Sequence, residues 1–226
     1  MPGLPGQVAA AVLAGGRGTR LGGDVPKPLV EWRGRPLVAW ALDAARDSGL
    51  RPVVLVTGYR SREVRAAVVA PVSLPARSGP TRSELAREHR TREQREVMIV
   101  HNRQWRRGIA SSLHAALGAL APFAQVGAVC VGLADQPEVG AEAYRRLVAA
   151  FCDGAELAVA TYGGRRANPV LLSRSIWAEA NRLEGDVGAR ALMERHPVVD
   201  VPCDDTGDPA DVDTPADFNR LNEADE

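Results

Sequence analysis

The sequence predicts an α/β sandwich with a mainly parallel sheet, and two features carry that expectation. Apolar, β-branched runs alternate with amphipathic helical stretches, giving the rhythm strand, helix, strand, helix. The first run, Val8 to Leu13, ends in a loop holding five glycines (Gly15, Gly16, Gly18, Gly22 and Gly23), the pattern of a buried parallel strand followed by a sharp turn. With 226 residues the chain is long enough to bury a substantial core, and one domain spanning 1–226 is expected.

After the loop, Glu31 to Arg35 holds Trp32 and Gly34 and reads as a turn. Pro36 suits the first position of a helix whose apolar face runs from Leu37 and Val38 to Ala44 and Ala45, ending at Gly49. Val53 to Val56 is the second buried strand, and Ser61 can cap a helix through about Val69. The stretch 71–96 breaks the rhythm. Pro71, Pro75, Gly79 and Pro80 lead into crowded arginines and glutamates without a continuous apolar face, so a charged surface insertion is expected, with a lid or docking loop as the sharper alternative.

Val97 to Val100 resumes as a third strand, followed by Asn102, Trp105, Gly108 and the pair Ser111 and Ser112, either of which can cap the helix Leu113 to Leu120. Ala128 to Leu133 is the fourth strand. It delivers Asp135, Gln136 and Pro137 at its carboxyl end, the edge where open α/β sheets bind ligands. A helix from Gly140 to Phe151, strands over Leu157 to Thr161 and Asn168 to Leu172, and a helix capped by Ser173 and carrying Ile176, Trp177, Ala180 and Leu183 come next. Gly185 to Arg190 interrupts before a short helix, Val198 to Val201 is the last strand, and a helix from Pro215 follows the acidic stretch 204–213.

The glycine loop suits a phosphate chain. Without Cβ atoms the backbone can approach an anion and turn its N–H groups inward, while Arg17, Arg20 and Lys27 neutralise charge. Two common phosphate motifs are excluded. The dinucleotide fingerprint GxGxxG fits at Gly16 and Gly18 but fails at Leu21, and the second strand ends without the acidic residue that holds a ribose. Lys27 lies between Pro26 and Pro28, which rules out a Walker A lysine.

Composition narrows the partners. The 28 basic and 28 acidic residues cancel, so no overall field draws the chain to nucleic acid or a membrane. The three cysteines are dispersed and lack CxxC spacing, which indicates neither a disulfide framework nor a zinc site. No signal segment and no apolar run of about 18 residues is visible, so a soluble, cytoplasmic protein is expected.

Asp135 is the first metal candidate, a carboxylate at the end of an apolar strand. Its partner is sought in the distant segment Asp211 to Pro215. There Thr214, Pro215 and Asp217 read as a helix start, leaving Asp211 (first choice) and Asp213 (second) for Mg²⁺, which needs few protein ligands beside nucleotide phosphates. The four histidines are scattered and none is assigned.

The run LAGGRGTRLGGDVPKPL, Leu13 to Leu29, resembles the opening motif of nucleotidyltransferases that move an NMP unit from an NTP onto a phosphate. Further on, LADQP (Leu133 to Pro137), ANPVLL (Ala167 to Leu172), GDVGAR (Gly185 to Arg190) and DVDTPADF (Asp211 to Phe218) resemble the MobA-like family in order and spacing. The resemblance implies a Rossmann-like three-layer sandwich of the nucleotide-diphospho-sugar transferase type, Mg²⁺ dependence, and CTP or GTP as donor. It places Leu13, Ala14, Gly15 and Gly16 at base and ribose, Gly18 and Ser111 beside the nucleotide, and Arg20 and Lys27 on the phosphates. Arg20, Lys27 and Asp135 would be catalytic, and Asn168, Gly185 and Asp186 would face the acceptor.

GDVGAR and NPVLL are most similar to cytidylyltransferases acting on molybdopterin, which implies that acceptor and, as protein partner, a molybdoenzyme or its chaperone. Gly15 stands where those enzymes usually carry alanine, a loss of one methyl that would enlarge the base pocket and favour a purine. A sugar-phosphate or alditol-phosphate acceptor, a non-catalytic molybdoenzyme maturation factor and, more weakly, a nicotinamide-dependent oxidoreductase are the alternatives.

Overall fold

The structure, a computed structural model, describes residues 6–18, 25–69 and 97–223. Arg20 and the stretch 71–96 lie outside the described residues. Seven strands form the main sheet: β1 (Gln7–Ala14), β4 (Val53–Thr57), β5 (Val97–His101), β6 (Val126–Leu133), β7 (Leu157–Tyr162), β8 (Arg165–Ser173) and β9 (Val199–Pro202), in the order β5-β4-β1-β6-β8-β7-β9. Only β8 runs against its neighbours. The sheet is therefore mostly parallel and β1 lies in its middle.

Both faces of β1 are buried, which is why it reads as an unbroken apolar run. Val8, Ala10, Val12 and Ala14 point to one face, where α1 (Leu37–Asp47) brings Val38, Ala41, Leu42 and Ala45 and α4 (Ala141–Cys152) brings Ala143, Tyr144 and Leu147. Ala9, Ala11 and Leu13 point to the other face, against Ala110, Leu113, Leu117 and Leu120 of α3 (Ile109–Leu120) and Trp177 and Ala180 of α5 (Trp177–Ala180). The remaining helices among the described residues are α2 (Ser61–Val69) and α6 (Pro215–Glu223). No helix among the described residues is long and apolar enough to cross a membrane.

Four local expectations are corrected. Pro36 is not the first helical residue: it closes the small hairpin of β2 (Glu31–Trp32) and β3 (Arg35–Pro36), whose turn residues Arg33 and Gly34 both have positive φ, and the helix begins at Leu37. Neither Ser111 nor Ser112 caps a helix, because α3 starts at Ile109 and both serines lie within it. The helix expected from Ser173 breaks into a 3-10 turn, Arg174–Ile176, and the four-residue α5. Ser175 there hydrogen-bonds Ser173 and Glu156, a side-chain competition that works against regular helix. The short helix after Gly185–Arg190 is a 3-10 segment, Ala189–Glu194, which begins inside the expected interruption.

Candidate active site

Lys27 is the centre of the charged edge. The prolines on either side hold it in a 3-10 turn, Lys27–Leu29, and it is only 7 % exposed. Its Nζ donates to Asp135 Oδ2 and to Asp213 Oδ1, joining three distant stretches of chain at one ammonium group. Burial alone would lower its pKa, but Asp135 and Asp213 more than reverse that and keep it protonated. Gly18 closes over the same side chain: its φ is +64°, and a Cβ there would lie 2.2 Å from Lys27 Cβ. Gly18 therefore rests on the lysine stem.

Asp135 is delivered by β6, where Ala134 N–H donates to the Leu13 carbonyl at 3.0 Å and draws the strand end against β1. The C-terminal stretch is tied to the same point by Val212 N–H donating to the Asp135 carbonyl at 3.0 Å. Asp213 is further fixed by the start of α6, where Thr214 N–H and Oγ1 donate to Asp217 Oδ2 and Asp217 N–H donates back to Thr214 Oγ1. Asp211 lies beside this cluster on the wall of a cavity. Loss of water there, with Asp135 and Asp213 close by, raises its carboxyl above the ordinary range despite Lys27.

Three carboxylates face one ammonium, leaving an excess of hard oxygen donors and negative charge that a small divalent cation would relieve. Among the described residues no three Asp, Glu, His or Cys side chains converge closely enough to cage such an ion by themselves. The donor set thus fits a cation that also takes ligands from a bound phosphate chain.

The second part of the site is a cavity of about 340 Å³ at the carboxyl ends of β1 and β6. Its floor is apolar (Leu13, Val131, Leu133, Val159, Val170), and Gln136, Arg166, Asn168, Asp186, Arg190 and Asp211 supply polar groups. Gln136 is nearly buried; its Nε2 donates to the Pro209 carbonyl at 2.8 Å, while its Oε1 has no partner among the described residues. Asp186 Oδ1 accepts from Ile109 N–H at 3.3 Å and the Gly185 carbonyl accepts from Ala110 N–H at 3.2 Å, so this distant segment caps α3. Gly108 makes the approach possible: a Cβ there would lie 2.3 Å from the Gly185 carbonyl carbon.

Of the residues assigned to the acceptor, Asn168 and Asp186 line this cavity, whereas Gly185 lines a neighbouring cavity of about 550 Å³ together with Ser111, which was assigned to the nucleotide. Ser111 is nearly buried and turned inward, donating to the Gln104 and Gly108 carbonyls. Gly15 does not leave a vacant space: a Cβ there would meet Ser112 Oγ at 2.6 Å. The missing methyl is exchanged for a serine hydroxyl, which removes the argument for an enlarged base pocket. Gln136, Arg166 and Arg190 stood in recognised motifs or a turn but carried no assigned role. Tyr59 and Trp105 also follow strands at the carboxyl edge and carried no assigned role.

The model of the MobA-like NTP transferase domain matches residues 10–201, most of the chain. The chain belongs to this family. As a MobA-like protein it carries a nucleotidyltransferase domain on the mostly parallel sheet described above. Nicotine blue oxidoreductase of Paenarthrobacter nicotinovorans is 30% identical over 95% of this chain and 96% of that protein. The bifunctional enzyme IspD/IspF of Novosphingobium aromaticivorans is 41% identical, but over 37% of this chain and 22% of its own length; this chain spans less than a quarter of that relative. Among solved structures, Rv0371c of Mycobacterium tuberculosis H37Rv has 30% identity and a TM-score of 0.75, covering 97% of this chain and 99% of that one. The same protein has also been solved as a manganese complex, at 29% identity and a TM-score of 0.70, covering 96% of this chain and 99% of that one.

Proposed function

We propose that this MobA-like protein transfers NMP from CTP or GTP to the phosphate of molybdopterin, releasing pyrophosphate, in the cytoplasm and with Mg²⁺. The observation that carries the reading is the buried Lys27, held between Asp135 and Asp213, packed against Gly18 and beside a mixed apolar and polar cavity. An acceptor phosphate oxygen attacks the α-phosphorus, the new P–O bond forms, and the bond to the β-phosphate breaks. The attacking dianion needs no base, so the chain's task is to position the groups and meet the negative charge. Lys27, kept protonated, and Arg20 serve the triphosphate; the glycine backbone offers its N–H groups.

Asp135, with Asp211 or Asp213, would hold Mg²⁺, which when bound neutralises phosphate charge. That Rv0371c has been solved as a manganese complex supports a divalent cation for this chain. In the cavity, the apolar floor suits a flat heterocycle, and Asn168 and Gln136 offer hydrogen bonds to its edge.

Pyrophosphate release, measured with each of the four NTPs, Mg²⁺ and either molybdopterin or its metal-loaded form, tests this. Release with CTP or GTP and a pterin acceptor is the expected result. Release only with a sugar or alditol phosphate would replace the acceptor, and tight nucleotide binding with no release would favour a maturation factor. The full-length kinship with nicotine blue oxidoreductase supports one other reading, redox chemistry in the same cavity. Oxidation of NADH or NADPH without pyrophosphate release would favour it.

A further inference from the structure

We infer that Trp105 and Tyr59 form an aromatic platform for the base of the bound nucleotide, outside the residues that the family motifs assign. The inference rests on the nucleotide reading above and extends it. The two rings are 5.4 Å apart and inclined at 59°, half-buried, and among the described residues neither belongs to the apolar clusters that fill the protein. Their place is beside the glycine loop. Tyr59 N–H donates to the Gly15 carbonyl at 3.2 Å, and a Cβ on Gly58 would lie 2.4 Å from the Gly15 oxygen and 2.6 Å from Trp105 Cβ. The exits of β1, β4 and β5 thus meet with no side chain between them.

A buried polar network holds the Trp105 segment in place. Asn102 Nδ2 donates to Ser111 Oγ at 2.8 Å and Ser112 Oγ at 3.1 Å, Asn102 Oδ1 accepts from Gln104 N–H at 2.8 Å, and Asn102 N–H donates to the Thr57 carbonyl at 2.8 Å. Each ring carries a guanidinium over it: Arg106 lies over Trp105 at 4.4 Å and Arg17, from the glycine loop, over Tyr59 at 5.4 Å. Two half-buried aromatic rings on anchored backbone, with guanidinium groups close over them, suit a planar base joined to an anionic chain. Stacking reads a ring face and not its edge, so both CTP and GTP use the platform.

The test is binding to the full chain, followed by calorimetry and by tryptophan fluorescence, with CTP, GTP and inorganic tripolyphosphate as probes. Both nucleotides quench emission, and tripolyphosphate binds without quenching. Trp105→Phe abolishes the quench while keeping nucleotide affinity, because a ring remains. Trp105→Leu weakens both nucleotides about tenfold and leaves tripolyphosphate unchanged, within the range one base–aromatic stack supplies. Tyr59→Leu, judged by the same two affinities, gives an independent reading should Trp105→Leu fold poorly. Nucleotide binding that ignores both leucine variants, or a loss shared equally with tripolyphosphate, overturns the platform and leaves the transfer reaction standing. No binding of any nucleotide overturns both.

Discussion

Around Lys27 the carboxyl edge of the sheet is organised by charge, whereas on the β6 and β8 side it is organised by shape. The charged half gathers one ammonium and three aspartates from segments up to 186 residues apart in sequence, tied together by backbone hydrogen bonds as well as by the ion pairs of Lys27. The cavity half rests on sheet side chains already buried for packing, closed by a segment that merely caps a helix. Loss of one group should therefore be severe in the first half, where each charge balances the others, and graded in the second.

Removing Lys27 tests that contrast hardest. Lys27→Met should lower kcat/KM for pyrophosphate release by about 10²–10³-fold, the usual cost of losing a positioned charge-stabilising group. An equally large loss from a cavity substitution would erase the distinction between the halves.

Gly15 lies at the boundary between them. Gly15→Ala drives a methyl into Ser112 Oγ and should destabilise by about 1–3 kcal/mol, the cost of overpacking. Ser112→Ala should recover most of that in the double variant, as denaturant melts of all four proteins would show.

Asp211 probes the charge balance through pH. Its folded pKa is raised, so the folded state holds this proton more tightly, and stability is lost as pH rises from the ordinary carboxylate range through the raised value. Metal-free Asp211→Asn should thus melt above wild type near neutral pH, with the gap closing as the pH falls into the ordinary carboxylate range. If Asp211 also serves the metal, the same variant should lose activity about tenfold, so that stability and turnover move in opposite directions.

Asp186→Ala gives the smallest effect. Loss of the cap on α3 should cost about 0.5–1 kcal/mol and raise the acceptor KM a few-fold with little change in the nucleotide KM. A larger change in the nucleotide KM would mean that the cavity serves the nucleotide instead.

The same contrast explains what could be read from the chain. Val8 to Leu13, with its glycines, and Asp135 after an apolar strand stand out because their residue types conflict with bland packing or turn chemistry. The cap of α3 was invisible, since its carboxylate comes from Asp186, 77 residues away, and nothing near Gly108 announces it. The cavity floor was invisible for another reason: Val131, Val159 and Val170 are core residues, and only the geometry shows that they also line a cavity. Pro36 misled because the fixed φ of proline suits the end of a hairpin as well as the start of a helix.

The most direct test of the account is Asp135→Asn, comparing NTP affinity with Mg²⁺-dependent pyrophosphate release at saturating substrate. The charged cluster as transfer centre predicts nucleotide binding within a few-fold of wild type and release lowered by at least about a hundredfold. Full Mg²⁺-dependent release from Asp135→Asn would contradict it.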